Sequence, residues 1–210
     1  MTTLSELAKK HNTDKLLHGY TEFYPRYMEP LRDTASKVVE IGIGYGASVR
    51  MWLEYFTTAH IYAIDNEEEA VARVWDSLST NRLSIMKANQ LDPTIWDIIG
   101  DGIDFVIDDA SHRPEDQIAT FKLGFKHVRP GGFYICEDTQ CSFHTNFSND
   151  FDMLYSWLKK LMVEQVKFAI NDWDFYVARD SDPNNRNSLA SMIYSFACYK
   201  NVIMFERAYD

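Results

Sequence analysis

Apolar positions change their period repeatedly along this chain, and the changes divide it into short alternating elements. Runs rich in β-branched and other apolar residues at 37–42, 60–65, 83–88, 103–108 and 132–137 read as buried strands. Between them, apolar residues recur at helical spacing over 46–57, 67–78, 92–99 and 114–128. Such alternation predicts βαβ units, that is, a mostly parallel sheet with helices on both faces. Upstream, 3–11 and 27–33 predict short helices around a polar, aromatic segment at 11–27 that reads as a lid or a wall. Downstream the pattern changes. A polar loop at 140–150 precedes an amphipathic helix at 151–164, followed by closing strands near 165–178 and 191–206. The second of these breaks at Tyr199-Lys200-Asn201, which predicts an antiparallel hairpin of 192–199 and 202–206, while 179–189 reads as a turn-rich surface loop. One α/β domain is expected over 1–210: an N-terminal segment to residue 33, a core at 37–138, and an acceptor loop with closing elements at 139–210.

The first strand ends in glycines two residues apart, Gly42, Gly44 and Gly46, immediately before a helical pattern. Glycine accepts positive φ and lets backbone approach a ligand, and the following helix offers unpaired N–H groups. The turn is therefore expected to bind a nucleotide-like or carboxylate-bearing small molecule. Its E-x-G-x-G-x-G spacing differs from the G-x-G-x-x-G of dinucleotide sites. Glu40, read as pointing into the crevice, suits a ligand with a positive centre and is poorly placed against a pyrophosphate. Both features favour S-adenosylmethionine over NAD.

Composition narrows the partners. With 46% hydrophobic and 14% aromatic residues the chain is globular. Its net charge of −10 disfavours nucleic acid. No apolar run approaches the roughly 18 residues of a membrane span, and no apolar h-region suggests a signal peptide. Cys136, Cys141 and Cys198 lack C-x-x-C spacing, which favours a reduced cytoplasm over disulfides or zinc, and Cys136 reads as a buried, inert strand residue.

In an open parallel sheet, ligands bind beyond the carboxyl ends of the strands, and polar residues concentrate there. Asp65 ends the second strand and suits ribose hydroxyls; Gln90 follows the third and offers an amide for an adenine edge. Asp108, Asp109 and His112 follow the fourth strand, and Glu137 and Asp138 the fifth. If these strands are neighbours, four carboxylates crowd together and raise one another's pKa, unless a hard divalent cation such as Mg²⁺ or Mn²⁺ neutralises them. His112 would then take the proton of a hydroxyl held at the metal, which stabilises the developing alkoxide. Helix caps and loop contacts are the plainer reading of each acidic pair alone.

The segments N-T-D-K, H-G-Y-T, V-E-I-G-I-G-Y-G-A-S-V-R-M-W, D-D-A-S-H-R and V-R-P-G-G-F-Y-I-C-E-D resemble the class I, S-adenosylmethionine-dependent sugar O-methyltransferases of the macrocin and mycinamicin type. The resemblance runs over about 8–206. It implies a Rossmann-like fold with a seven-stranded, mostly parallel sheet and an antiparallel C-terminal hairpin strand. It further implies Asp109, Glu137 and Asp138 as Mg²⁺ ligands and His112 as general base. Glu40, Gly42, Ser48, Asp65 and Gln90 match the cofactor contacts, joined here by Gly44 and Asp108, and Tyr20 matches a segment that closes over the site. Ala110 departs from the family's usual glycine, and the extra N-terminal domain of some members is not seen. His144 could touch an acceptor sugar, or be an exposed loop residue. Trp52, Trp75 and Trp157 read as core or interface. The expected partner is a small-molecule or glycoside substrate, with a homo-oligomer possible. A catechol or other phenol acceptor, an NAD-dependent oxidoreductase and a non-catalytic module are the alternatives.

Overall fold

The computed structural model describes residues 2–173 and 188–209, with side chains described for 2–166 and 188–209. Helix α1 (Leu4–His11) opens on a capping box, in which the Thr3 hydroxyl accepts from the Glu6 N–H and the Glu6 carboxylate accepts from the Thr3 N–H. A 3₁₀ turn at Asp14–Leu16 and two one-turn helices, α2 (Tyr20–Phe23) and α3 (Pro25–Met28), complete the N-terminal segment, which runs into a 3₁₀ turn at Glu29–Leu31. The alternating core follows: β1 (Lys37–Ile41), α4 (Ala47–Tyr55), β2 (His60–Asp65), α5 (Glu68–Ser77), β3 (Leu83–Lys87), α6 (Thr94–Ile99), β4 (Ile103–Asp108), α7 (Pro114–Gly124) and β5 (Val128–Cys136). The chain closes with α8 (Met153–Trp173), β6 (Ile193–Cys198) and β7 (Ile203–Arg207).

The strand order is β3-β2-β1-β4-β5-β7-β6. Strands β1 to β5 pair in parallel, and β7 runs antiparallel to both β5 and β6. This is the expected Rossmann-like sheet, with the hairpin supplying both closing strands. Sequence order reverses between β1 and β4, so the crevice at their carboxyl ends is the natural ligand site.

Three boundaries differ from the sequence reading. The strand expected at 165–178 is helical as far as Trp173, and 174–178 lie outside the described residues, as does most of the 179–189 loop. Extending a helix that already exists needs no new nucleus, so the β-branched residues there do not stop it. The helix expected at 114–128 ends at Gly124 in a 3₁₀ turn, and β5 begins earlier, at Val128, through a register shift opposite Ile103 and Phe105. Of the tryptophans, Trp52 is core, Trp157 packs partly buried against Phe121 and Phe205 on the opposite face of the sheet, and Trp75 is 67% exposed.

Strand periodicity sorts the core into two layers. Val38, Phe105, Ile107, Phe133 and Ile135 pack with Leu4, Tyr24, Trp52 and Phe56 on the face covered by α1 and α4. Val39, Ile41, Val106, Tyr134 and Cys136 pack on the other face with Trp96, Phe121, Leu154 and Phe205. Period two carries Glu40, Asp109 and Glu137 onto the first face and Asp108 onto the second, which decides what each carboxylate meets. No described helix is long and apolar enough to cross a membrane.

Candidate active site

Gly42 brings the two central strand ends together. Its φ is +87°, and a Cβ there would lie 2.1 Å from the Asp109 carbonyl oxygen and 2.7 Å from Ala110 Cα. The Asp109 N–H donates to the Ile41 carbonyl (2.9 Å), so the loop after β4 rests on the glycine itself. Gly44, at φ +46°, has open space where a Cβ would project. Beside these residues lies a cleft of about 950 Å³, lined by Gly42, Gly44, Ser48, Asp65, Gln90, Asp109, His112 and Asp138, and by residues 11–14 of the N-terminal segment.

Asp65 braces the glycine turn: Oδ2 accepts from the Ile43 and Gly44 N–H groups (2.9 and 3.3 Å), and Oδ1 from that of Glu67 (2.9 Å). A carboxylate has about four lone-pair positions, so acceptor capacity remains towards the cleft. Gln90 is engaged at both ends: its amide donates to Thr120 Oγ1 (2.8 Å) and accepts from the Ser111 N–H (3.2 Å). It orders the 110–112 loop from within the wall of the cleft.

Two residues assigned to the cofactor face elsewhere. Glu40 is fully buried and does not line the cleft. Its oxygens accept from Ser48 Oγ (2.9 Å) and Trp52 Nε1 (3.0 Å), with Lys15 Nζ at 3.5 Å. The expectation that Glu40 points into the crevice is thus corrected: its position in β1 turns it under α4. Asp108 is turned onto the opposite face, where Tyr134 OH donates to Oδ2 (2.7 Å) and Oδ1 is buried with no hydrogen-bond partner among the described residues. Burial pushes its pKa up to about 7.

The remaining carboxylates converge. β4 and β5 are neighbours with Asp108 opposite Cys136, which sets Asp109 beside Glu137. Ligand atoms of Asp109, His112 and Asp138 lie within 4.8 Å of one another, and His112 Nε2 is 3.9 Å from Asp138 Oδ2. His112 and Asp138 both hold left-handed backbone, at φ 56° and 53°, which side chains with a Cβ rarely adopt. The His112 ring stands edge-on to Phe147, which also meets the exposed His144.

The N-terminal segment reaches into this cluster with three polar tips. Lys15, 1% exposed, donates to Glu137 Oε2 (2.6 Å) and Asp109 Oδ2 (2.8 Å). Tyr24 OH donates to Glu137 Oε1, and Tyr20 OH to Asp138 Oδ1. Both Glu137 oxygens are therefore engaged, whereas Asp109 Oδ1 and Asp138 Oδ2 are free of hydrogen bonds among the described residues. Burial alone would lower the Lys15 pKa, but Asp109, Glu137 and Glu40 hold it well above the usual lysine value. Burial likewise opposes the Asp138 anion, yet Tyr20, Gln140, His112 and His18 keep its pKa below the usual aspartate range. Sequence reasoning placed Tyr20 over the site but gave no role to Lys15 or Tyr24. The signal was available: a lysine in a segment otherwise rich in aromatics, facing an excess of strand-end carboxylates.

Comparison with known proteins adds to this geometry. Residues 39–139 match the family described as a methyltransferase domain. The chain is 36% identical over 161 residues to the 8-demethyl-8-alpha-L-rhamnosyl tetracenomycin-C 2'-O-methyltransferase of Streptomyces olivaceus, covering 71% of this chain and 41% of that protein. It is 33% identical to the mycinamicin VI 2''-O-methyltransferase of Micromonospora griseorubida, covering 71% and 39%. The MycE methyltransferase of the mycinamycin pathway, solved with Mg and SAH, superposes with a TM-score of 0.80 at 26% identity, over 99% of this chain and 55% of that one. The chain thus spans about two fifths of these relatives' length and just over half of the solved protein's. The dinucleotide reading finds no support among these relatives: residues 39–139 form a methyltransferase domain, and the chain's homologues are sugar O-methyltransferases of the macrocin and mycinamicin type.

Proposed function

We propose that this domain transfers a methyl group from S-adenosylmethionine to a hydroxyl of a sugar or glycoside, with Mg²⁺ or Mn²⁺ at the carboxylate cluster and His112 as general base. The observation that carries the reading is a single cleft in which the glycine turn adjoins Asp109, His112 and Asp138. The relatives' substrates, glycosides of tetracenomycin and mycinamicin, supply the acceptor class.

The residues fit both groups. The open side of Gly44 leaves room for a ligand to lie against backbone, and Ser48 and Asp65 line the same wall. Asp109 and Asp138 present the free hard oxygens that Mg²⁺ prefers. Glu137 can join as a third ligand only through second lone pairs, since each of its oxygens already accepts one hydrogen bond. When bound, the cation supplies a hard positive charge beside the acceptor hydroxyl, which lowers the cost of negative charge developing there. His112 holds its Nε2 next to Asp138 and at the cleft, where it can take the hydroxyl proton and keep the resulting imidazolium beside an anion. Tyr20 and Tyr24 close the inner side of the cluster and keep water from it. Phe147 flanks His112 and His144 stands beyond Phe147, from where His144 would contact the sugar. The three free cysteines suit a reducing, cytoplasmic setting, and the acidic chain suits a small neutral acceptor rather than nucleic acid.

Calorimetric titration with S-adenosylhomocysteine, with NADH as the control, tests the cofactor. Methyl transfer to glycosides with and without EDTA tests the metal. Absence of adenosyl binding would sink the reading, and EDTA-resistant transfer would overturn the metal's part in it.

A further inference from the structure

The carboxylate cluster has an inner and an outer half. Asp109, His112 and Asp138 line the cleft, while Glu40, Glu137 and Lys15 do not and are each at most 1% exposed. Lys15 Nζ is within 4.0 Å of three carboxylates: Glu137 at 2.6 Å, Asp109 at 2.8 Å and Glu40 at 3.5 Å. Buried anions at this density repel one another strongly, and among the described residues no other lysine or arginine pairs with any of them. Asp109 straddles the halves: it lines the cleft, its Oδ2 is held by the ammonium, and its Oδ1 accepts no hydrogen bond among the described residues.

We propose that Lys15 is a positioning residue that acts as a built-in counter-cation: it neutralises the inner carboxylates when no metal is bound, and it weakens the affinity of the Asp109 and Asp138 carboxylates for a divalent cation. The inference rests on the metal reading of the cluster given above. Its physical content is a competition. An ammonium and a dication that share the Asp109 carboxylate repel each other through a poorly screening interior. Lys15 therefore lets the protein fold and hold its ligands in place without metal, at the cost of a looser, exchangeable ion. A lysine that merely filled space or anchored the N-terminal segment would strengthen the metal site by ordering it. The two roles predict opposite signs.

The test measures Mn²⁺ binding by electron paramagnetic resonance, Mg²⁺ binding by calorimetry, and thermal unfolding in EDTA, for the wild type, Lys15→Met and Lys15→Arg. Lys15→Met should melt lower than wild type in EDTA, bind Mn²⁺ on the order of tenfold more tightly or better, and gain more in Tm from the metal. Lys15→Arg, which keeps the charge, should bind Mn²⁺ within about threefold of wild type. A Lys15→Met chain that folds only with Mn²⁺ present also supports the proposal, since the dication then replaces the missing ammonium. A folded Lys15→Met that binds Mn²⁺ no more tightly than wild type overturns it. Should Lys15→Met fail to fold with or without metal, Lys15→Arg decides: a folded Arg variant supports the charge, and an equal failure overturns it. A wild type that binds neither metal takes down the metal reading first, and this inference with it.

Discussion

Replacing Gly42 by alanine puts a methyl group where the loop after β4 already lies. The added carbon would sit 2.1 Å from the Asp109 carbonyl oxygen, 2.6 Å from its carbon and 2.7 Å from Ala110 Cα, all backbone atoms that cannot swing aside. The φ of +87° adds a second penalty. Left-handed backbone costs an L-residue about 1–2 kcal/mol, and an overpacked methyl costs about 1–3 kcal/mol after relaxation. Together these give about 2–5 kcal/mol. At roughly 2–4 °C per kcal/mol for a chain of this size, Tm should fall by roughly 4–20 °C. Because relief of the clash must push Asp109 away from β1, Mn²⁺ and S-adenosylhomocysteine should both bind more weakly. Gly44→Ala is the control: its φ of +46° brings the backbone penalty alone, with nothing within 4 Å of the new carbon. It should cost only about 1–2 kcal/mol and leave Mn²⁺ binding intact. Melting curves in EDTA and the two titrations read all of this. If Gly42→Ala matched Gly44→Ala in both Tm and metal affinity, the contact between the glycine turn and the Asp109 loop would not be what positions the ligand.

Other perturbations separate chemistry from packing. His112→Ala should lower kcat on a sugar hydroxyl by roughly 10²–10⁴-fold, with S-adenosylhomocysteine affinity retained and a much smaller loss on an already acidic phenol; equal losses on the two acceptors would remove His112 as the base. Glu40→Ala should destabilise the apoprotein by about 1–3 kcal/mol, because it leaves the buried Ser48 Oγ and Trp52 Nε1 without their acceptor while Lys15 keeps Asp109 and Glu137; chemical denaturation would show it. Tyr20→Phe removes a hydrogen bond that helps keep the Asp138 pKa low. A depressed carboxylate contributes stability above its unfolded pKa and loses it as pH falls through its folded pKa. The variant should therefore begin acid unfolding at a higher pH than wild type, and superimposable acid titrations would contradict this. Trp75→Ser, on an exposed face of α5, should change stability by no more than about 0.5 kcal/mol despite the size of the side chain.

Much of this architecture was legible because its signals are local. Strand and helix periods placed β1 to β4 and their helices within a few residues, and the glycine turn announced the crevice. The strand-end carboxylates were found, but their directions were not taken from the same alternation that identified the strands. Counting by two from Phe105 and Phe133 puts Asp109 and Glu137 on the face of Val38 and Glu40, and sends Asp108 towards Tyr134. Applied at the outset, that parity would have turned Asp108 away from the cleft; Glu40 shares the face of Asp109, and only its cover by Ser48 and Trp52 of α4 separates the two. Lys15 and Tyr24 were harder, because their partners lie 94 to 122 residues away and no spacing within the segment encodes that contact. The helical stretch after 164 was missed for a related reason: its residue types suit a strand, and only the helix already running before it decides the outcome.

The left-handed backbone at His112 and Asp138 has a consequence for engineering. At each position glycine would relieve about 1–2 kcal/mol of backbone strain, so a library selected for heat resistance alone should enrich glycine at these two sites early. A screen for methyl transfer should purge the same substitutions. Comparing the two selections position by position would map where this chain trades durability for turnover, with no assumption about the acceptor.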